Sequence, residues 1–307
     1  MKPKATRQAF GEALAELGEK NQKVVVLDAD LSKSTKSEIF AKKFPNRFFE
    51  MGIAEANMIG TGAGLALSGF VPFVCSFGCF VTGRYDTIRM SVAYARANVK
   101  IVGTHAGLGI GDDGHSQMGL EDLSLMRGLP EMVVLQPCDE IETKQMVEFL
   151  GQYHGPAYLR LTRQALAPVH DSNYHWSLGK VDVLKKGSHT LLLATGAAVQ
   201  ECLLAYYTLR NQGKTCPTVV NVPCLKPLES AELLFFFQSH KKIITVEDHY
   251  TTGGLGSALA EILAESGLDR PLKRLGVCEK FGESGDPLEL YEKFGFSASK
   301  IVEALTF

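Results

Sequence analysis

Three groups of residues have types and spacings that could do chemistry. The first is a carboxylate, Glu55, in Gly52-Ile53-Ala54-Glu55-Ala56-Asn57-Met58, where a charged loop gives way to small apolar residues. An acid there is either a first-turn residue favoured by the helix dipole or a buried group with a proton to share. The second is a pair of aromatics, Phe77 and Phe80, in Ser76-Phe77-Gly78-Cys79-Phe80. Such a pair belongs to a core more often than to a stacking platform for a flat ring. The third is a polar, glycine-rich stretch, Gly103-Thr104-His105-Ala106-Gly107 followed by Gly111-Asp112-Asp113-Gly114-His115-Ser116-Gln117. A loop of that kind at the carboxyl end of a parallel strand is where α/β proteins place ligands. Arg7 and Arg163 are surface cations or phosphate clamps, and neither decides the matter alone.

Other chemistries find no support. Gly107-Leu-Gly109-Ile-Gly111 and Gly253-Gly-Leu-Gly256 look faintly like dinucleotide loops, but neither gives a clean GxGxxG between the first strand and its helix with an acid about 20 positions on. The sequence contains no GxxxxGK[ST], no HExxH and no GxSxG, which argues against a P-loop, a zinc protease and a hydrolase elbow.

The elements that must carry these residues alternate between strand and helix. Helical spacing over 7–18, a buried strand at Val24–Leu27, a small-residue helix over 55–67 and a strand at Val71–Phe77 begin the pattern. A helix over 82–96, strands at 99–105, 132–135 and 157–161, and a helix over 139–150 continue it. After a polar stretch, Pro168-Val-His-Asp-Ser-Asn-Tyr-His-Trp176, the alternation restarts. Strands are predicted at 190–193, 218–222, 242–246 and 275–278, with helices near 197–212, 256–266 and 297–305. Apolar strands without alternation, separated by helices, indicate parallel sheets covered on both faces. The expectation is therefore an α/β protein of two doubly wound, three-layer domains, residues 1–168 and 181–307, joined by a linker over 169–180.

Bulk properties fit that organisation. A chain of 307 residues suits two cores of about 150 residues each. A formal charge of -2 and the lack of a basic block give no field for nucleic acid. The longest apolar runs, such as Leu233-Leu234-Phe235-Phe236-Phe237, fall far short of a membrane span. The start, Met1-Lys-Pro-Lys-Ala-Thr-Arg7, has no apolar stretch after its charges and does not read as a signal peptide. Seven scattered cysteines without CxxC spacing read as reduced thiols, neither a disulfide framework nor a zinc site. The expected compartment is the cytoplasm.

Taken in order along essentially the whole chain, the motifs resemble the pyrimidine-binding and C-terminal domains of transketolases. They are Thr6-Arg7-Gln-Ala, Asp28-Ala-Asp30-Leu-Ser-Lys-Ser34, Gly52-Ile-Ala-Glu55-Ala-Asn-Met, and Ser76-Phe-x-x-Phe80 with Arg89-Met90 beyond it. Gly114-His-Ser-Gln117-Met-Gly-Leu-Glu121-Asp122 is similar to the form found in animal transketolases. Val222-Pro-Cys-Leu-Lys-Pro227 and Glu247-Asp-His-Tyr250-x-x-Gly-Gly-Leu-Gly256 are similar to motifs of the C-terminal domain.

The resemblance implies the C-terminal subunit of a split transketolase, moving a two-carbon ketol unit from a ketose phosphate to an aldose phosphate. It implies thiamine diphosphate shared with a partner chain. That partner would be the N-terminal subunit with the diphosphate-binding domain, holding Mg²⁺ or Ca²⁺ through a GDG motif that this sequence lacks. No residue of this chain is implied as a metal ligand. Glu55, His105 and Gln117 take the catalytic positions; Asp30, Glu55, Phe77 and Phe80 line the cofactor; Arg7, Ser34, His105, Asp113 and Arg163 contact substrate. Two copies of each chain follow from symmetry, and a self-dimer from the apolar surface meant for a partner.

The sequence departs from the family pattern at three places. Gly83 stands where some transketolases carry tyrosine, Gln117 where bacterial and yeast enzymes carry histidine, and His115 where proline is usual. An amide does not titrate, so Gln117 can relay a hydrogen bond but not hold the proton. Competing readings are a deoxyxylulose-phosphate synthase-like enzyme, the beta subunit of a 2-oxo acid dehydrogenase, and a non-catalytic regulatory chain.

Overall fold

The computed structural model describes residues 2–305. Its strands in chain order are β1 (Lys4–Ala5), β2 (Val24–Asp28), β3 (Phe48–Glu50), β4 (Val71–Phe77), β5 (Lys100–Thr104), β6 (Val133–Leu135), β7 (Ala157–Arg160) and β8 (Ala165–Leu166). They continue as β9 (Asp182–Lys185), β10 (Thr190–Ala194), β11 (Thr218–Asn221), β12 (Cys224–Lys226), β13 (Lys242–Tyr250) and β14 (Leu272–Val277). The larger sheet has the order β12-β6-β7-β5-β4-β2-β3 and the smaller one β14-β13-β10-β11-β9. Helices separate the parallel strands, and the fold is mixed α/β, as expected. Strands β2, β4 and β5 are buried at every residue, which is why their sequences are apolar without alternation.

Two edge strands depart from the all-parallel expectation. Strand β9 pairs antiparallel to β11, and β12 pairs antiparallel to β6. The second of these matters for the architecture. Residues 224–226 lie far along the chain yet complete the sheet built from the first 160 residues, so the two halves share a sheet. The apolar run Leu233–Phe237 lies in a helix, Ser230–Ser239, that packs on the helix Leu255–Ser266. No helix among the described residues is long and apolar enough to cross a membrane. All seven cysteines are free.

The helix expected over 82–96 is broken. Gly78–Thr82 forms one turn and a half, Gly83 ends it, and Ile88–Tyr94 is wound as a π-helix. The Thr82 hydroxyl donates to the Gly78 carbonyl at 2.6 Å, a back-bond that competes with the regular ladder. By contrast Glu55–Leu67 is a regular helix despite three glycines. A side chain at Gly62 would press on Val74 at 3.0 Å, so the small residue lets the helix settle on β4.

The polar stretch 169–180 is pinned along the helix Glu140–Gln152. The Tyr174 hydroxyl donates to Glu142 at 2.7 Å, and the Trp176 amide donates to Gln145 at 2.7 Å. His170 is buried with Nδ1 3.0 Å from Asp139 and Nε2 3.1 Å from Asp182. Burial opposes its charge, but hydrogen bonds to these two carboxylates more than offset this and raise its pKa to about 10. A folded pKa above the ordinary value of about 6.5 means that the clamp contributes fully below that pH and is lost as pH rises through 10. We therefore expect His170→Gln to destabilise the protein more at about pH 6 than at about pH 10. Urea unfolding of both proteins at the two pH values checks this; equal losses would contradict it.

Candidate active site

The sequence-predicted residues gather at the carboxyl edge of the larger sheet. Chain order there reverses around β2, whose neighbours are β3 and β4. A crevice at such a reversal is the usual ligand position in an open α/β sheet. Asp30 follows β2, Glu55 follows β3, Phe77 and Phe80 close and follow β4, His105 follows β5, and Arg163 follows β7.

His105 is the centre of the best-defined cluster. It sits in the left-handed region at φ 57°, a conformation a histidine adopts rarely and only when its surroundings hold it there. Its ring stacks on Phe77 at 3.8 Å between centroids, and Phe77 stacks on Phe80 at 5.5 Å and 9°. Phe77 is buried while Phe80 is half-buried, so the pair is both core and platform. Nε2 lies 2.9 Å from the Arg7 guanidinium, and Nδ1 lies 2.8 Å from the Thr104 hydroxyl. A guanidinium only donates, so Nε2 accepts and Nδ1 carries the hydrogen, which it gives to Thr104. Burial, then the charges of Arg7 and Arg163, depress the His105 pKa to about 3. The ring is neutral at physiological pH.

Cations surround that neutral ring. Arg7 also donates to the Ser34 carbonyl at 2.7 Å, and its buried Nε has no hydrogen-bond partner. Arg163 donates to the Ile110 carbonyl at 2.5 Å and lies 3.9 Å from Asp113. Two guanidinium groups flanking one imidazole, one of them with a buried unpaired N–H, suit an anion with several oxygens.

Glu55 opens its helix, and its side chain is only 6% exposed. No hydrogen bond or ion pair engages its carboxylate among the described residues. Its helix packs on the turn Gly78–Thr82 that carries Phe80. Asp30 is exposed at φ 63°, and its amide donates to Glu50 at 2.7 Å. Gln117 ends a short 3₁₀ turn whose Ser116 carbonyl faces the Cys79 thiol at 3.9 Å. Among the described residues no hydrogen bond, ion pair or ring contact joins Asp30, Glu55 or Gln117 to the His105 cluster. His115 points elsewhere: its Nδ1 accepts from the Gly282 amide at 3.1 Å.

Cys138, Asp139 and His170 come close enough to hold a metal ion. They do not suit one, because both ring nitrogens face carboxylates and the raised pKa keeps the ring protonated.

Sequence reasoning missed Thr104, which takes the hydrogen of His105 Nδ1, and the second-domain residues that hold the 107–117 loop. Asp248 belongs to the motif Glu247-Asp-His-Tyr250, whose resemblance was legible but whose work was not. In that motif Glu247 accepts from the Leu255 and Gly256 amides at 2.7 and 2.8 Å and caps a helix.

Comparison with known proteins places both halves of the chain in one family. Residues 2–168 match the transketolase pyrimidine binding domain and residues 179–301 the transketolase C-terminal domain. A Methanocaldococcus jannaschii protein, provisionally named a transketolase C-terminal section, is 41% identical over 98% of this chain and 95% of its own. A 6-deoxy-6-sulfo-D-fructose transketolase subunit from Clostridium is 39% identical over 97% and 92%. Human transketolase is 36% identical over 98% of this chain but only 48% of its own length. Among solved structures, a split gene transketolase described as an inactive β4 tetramer superposes with a TM-score of 0.91. It is 42% identical, over 99% of this chain and 97% of that one.

Proposed function

The chain belongs to the transketolase family, and on that premise we propose that, joined to a diphosphate-binding partner chain, it transfers a two-carbon ketol unit between sugar phosphates. The observation that carries the proposal is Glu55: a side chain only 6% exposed, at the start of the helix that packs on the turn bearing Phe80, with its carboxylate free of hydrogen bonds among the described residues.

Thiamine diphosphate, when bound, supplies the nucleophilic carbon. Glu55 would hydrogen-bond the pyrimidine ring nitrogen and share the proton that activates the ring. Phe80 presents a flat face to that ring, and Phe77 backs it and excludes water. Asp30 borders the same crevice. Arg7 and Arg163, with Ser34, would take the substrate phosphate. His105 would offer a neutral ring for a sugar hydroxyl or phosphate oxygen, and Asp113 would read a hydroxyl. Gln117 would orient by hydrogen bonding and would not hold a proton.

The partner is the N-terminal subunit, which would hold the cofactor's diphosphate and its Mg²⁺ or Ca²⁺. Two observations support a shared site. Ile53, Leu67, Met90 and Tyr94 are exposed apolar side chains on or beside two helical segments that pack together, 55–67 and 88–94. A structural relative made of this kind of subunit alone is described as inactive. The same apolar surface supports self-association while the partner is absent.

The test is ketol transfer from xylulose 5-phosphate to ribose 5-phosphate by the two chains together with thiamine diphosphate and Mg²⁺. A parallel assay offers pyruvate and glyceraldehyde 3-phosphate. Turnover of the pentose phosphates supports the reading; turnover of pyruvate alone would replace it with a synthase. Turnover of neither would favour a regulatory chain or a specialist sugar.

A further inference from the structure

The loop bearing His105, Asp113 and Gln117 belongs to the first domain, yet the second domain holds it. The fully buried carboxylate of Asp248 reaches across from β13. It accepts the Leu108 amide at 2.7 Å, the Gly109 amide at 3.2 Å and the Tyr291 hydroxyl at 2.8 Å. A side chain at Gly107 would collide with this carboxylate, and the φ of 88° there already asks for glycine. Ile110, the residue after Gly109, gives its carbonyl to the Arg163 guanidinium at 2.5 Å. Gln164, beside Arg163, donates to the Tyr291 hydroxyl at 2.7 Å. The far end of the loop rests on the same domain, through Gly282 to His115.

We propose that Asp248 is a positioning residue: through Leu108, Gly109 and the Ile110 carbonyl it sets the direction in which Arg163 presents its guanidinium to the substrate phosphate. The second domain is thus a template for the sugar-phosphate site. This rests on the ketol-transfer reading above. Asp248 is fully buried and acts through these contacts, and a misplacement of about 1 Å at a binding group is enough to weaken it strongly.

Asp248→Asn is the informative change. It keeps one oxygen for Leu108 but turns an NH₂ toward two donors, the Gly109 amide and the Tyr291 hydroxyl. We expect the KM for ribose 5-phosphate, measured with the partner chain, to rise about tenfold with kcat within about threefold of wild type. Hydrogen exchange on this chain alone should quicken about tenfold at 108–113 and leave β10 and β13 unchanged. Tyr291→Phe should move both readouts the same way by less, and it carries the test where Asp248→Asn does not fold. An unchanged KM in an active complex, or exchange that quickens throughout the second domain, would overturn the proposal. An inert wild-type complex would instead overturn the ketol-transfer reading, while exchange confined to 108–113 would still support the positioning contact.

Discussion

Glu55→Gln is expected to lower ketol transfer by roughly 10²–10⁴-fold, the range over which a positioned acid–base group contributes. Glutamine keeps the size and a hydrogen-bonding oxygen but cannot give up or take a proton. Thermal stability should stay near that of the wild type, because the Glu55 carboxylate holds no hydrogen bond that the change could break. Binding of thiamine diphosphate by the complex should likewise fall much less than turnover. The measurement is a steady-state assay of the mixed chains beside a melt of this chain alone. Turnover within about threefold of wild type would remove Glu55 from the chemistry. Loss of turnover accompanied by a large drop in melting temperature would assign it a structural role.

The second large effect concerns stability. Arg160 and Asp122 form an ion pair at 2.8 Å with essentially no exposure. Arg160 also donates to the Gly119 and Asp248 carbonyls at 2.8 and 2.9 Å, so one side chain ties β7, the site loop and β13 together. Burial alone would raise the pKa of Asp122, but the Arg160 charge beside it holds it below the ordinary carboxylate value. Arg160→Met would leave that charge buried with Tyr158, at 2.6 Å, as its one hydrogen-bond donor among the described residues and the His249 ring 3.9 Å away. We expect a loss of about 3–5 kcal/mol, the usual result of removing one partner of a buried pair. Replacing both partners, Arg160→Met with Asp122→Asn, should recover much of the loss, since the uncompensated charge disappears. Urea unfolding of the single and double variants reads this directly. A single-variant loss under about 1 kcal/mol would show that the pair is not what joins the domains.

How much of this was legible in the sequence follows from what kind of signal each feature leaves. Val71–Phe77 and Glu55–Leu67 have the bounds expected of them, because a fully buried strand and a helix of small residues each write their burial into composition. The segment 82–96 does not, since Gly83 and the Thr82 back-bond override a helical pattern. Strand β12 left no trace, because three residues pairing with a strand some 90 positions earlier obey no local periodicity. Among site residues, Arg7, Ser34, His105, Phe77 and Phe80 are joined by contacts, and family motifs marked all of these but His105, which stood out only by its place in a polar loop after a strand. Asp248 and Thr104 act through single contacts, one of them on backbone amides across a domain boundary. Residue type carries no record of such a contact. The His105 tautomer and its depressed pKa were equally illegible, since both arise from Arg7 and Thr104 meeting it in space.

The division of the active site between two chains is tested most directly by titration. A fixed amount of the diphosphate-binding chain, saturated with thiamine diphosphate and Mg²⁺, receives increasing amounts of this chain while ketol transfer is followed. The account predicts no turnover from either chain alone, a linear rise, and a break at one copy of this chain per copy of the partner. Turnover by this chain without the partner would contradict it.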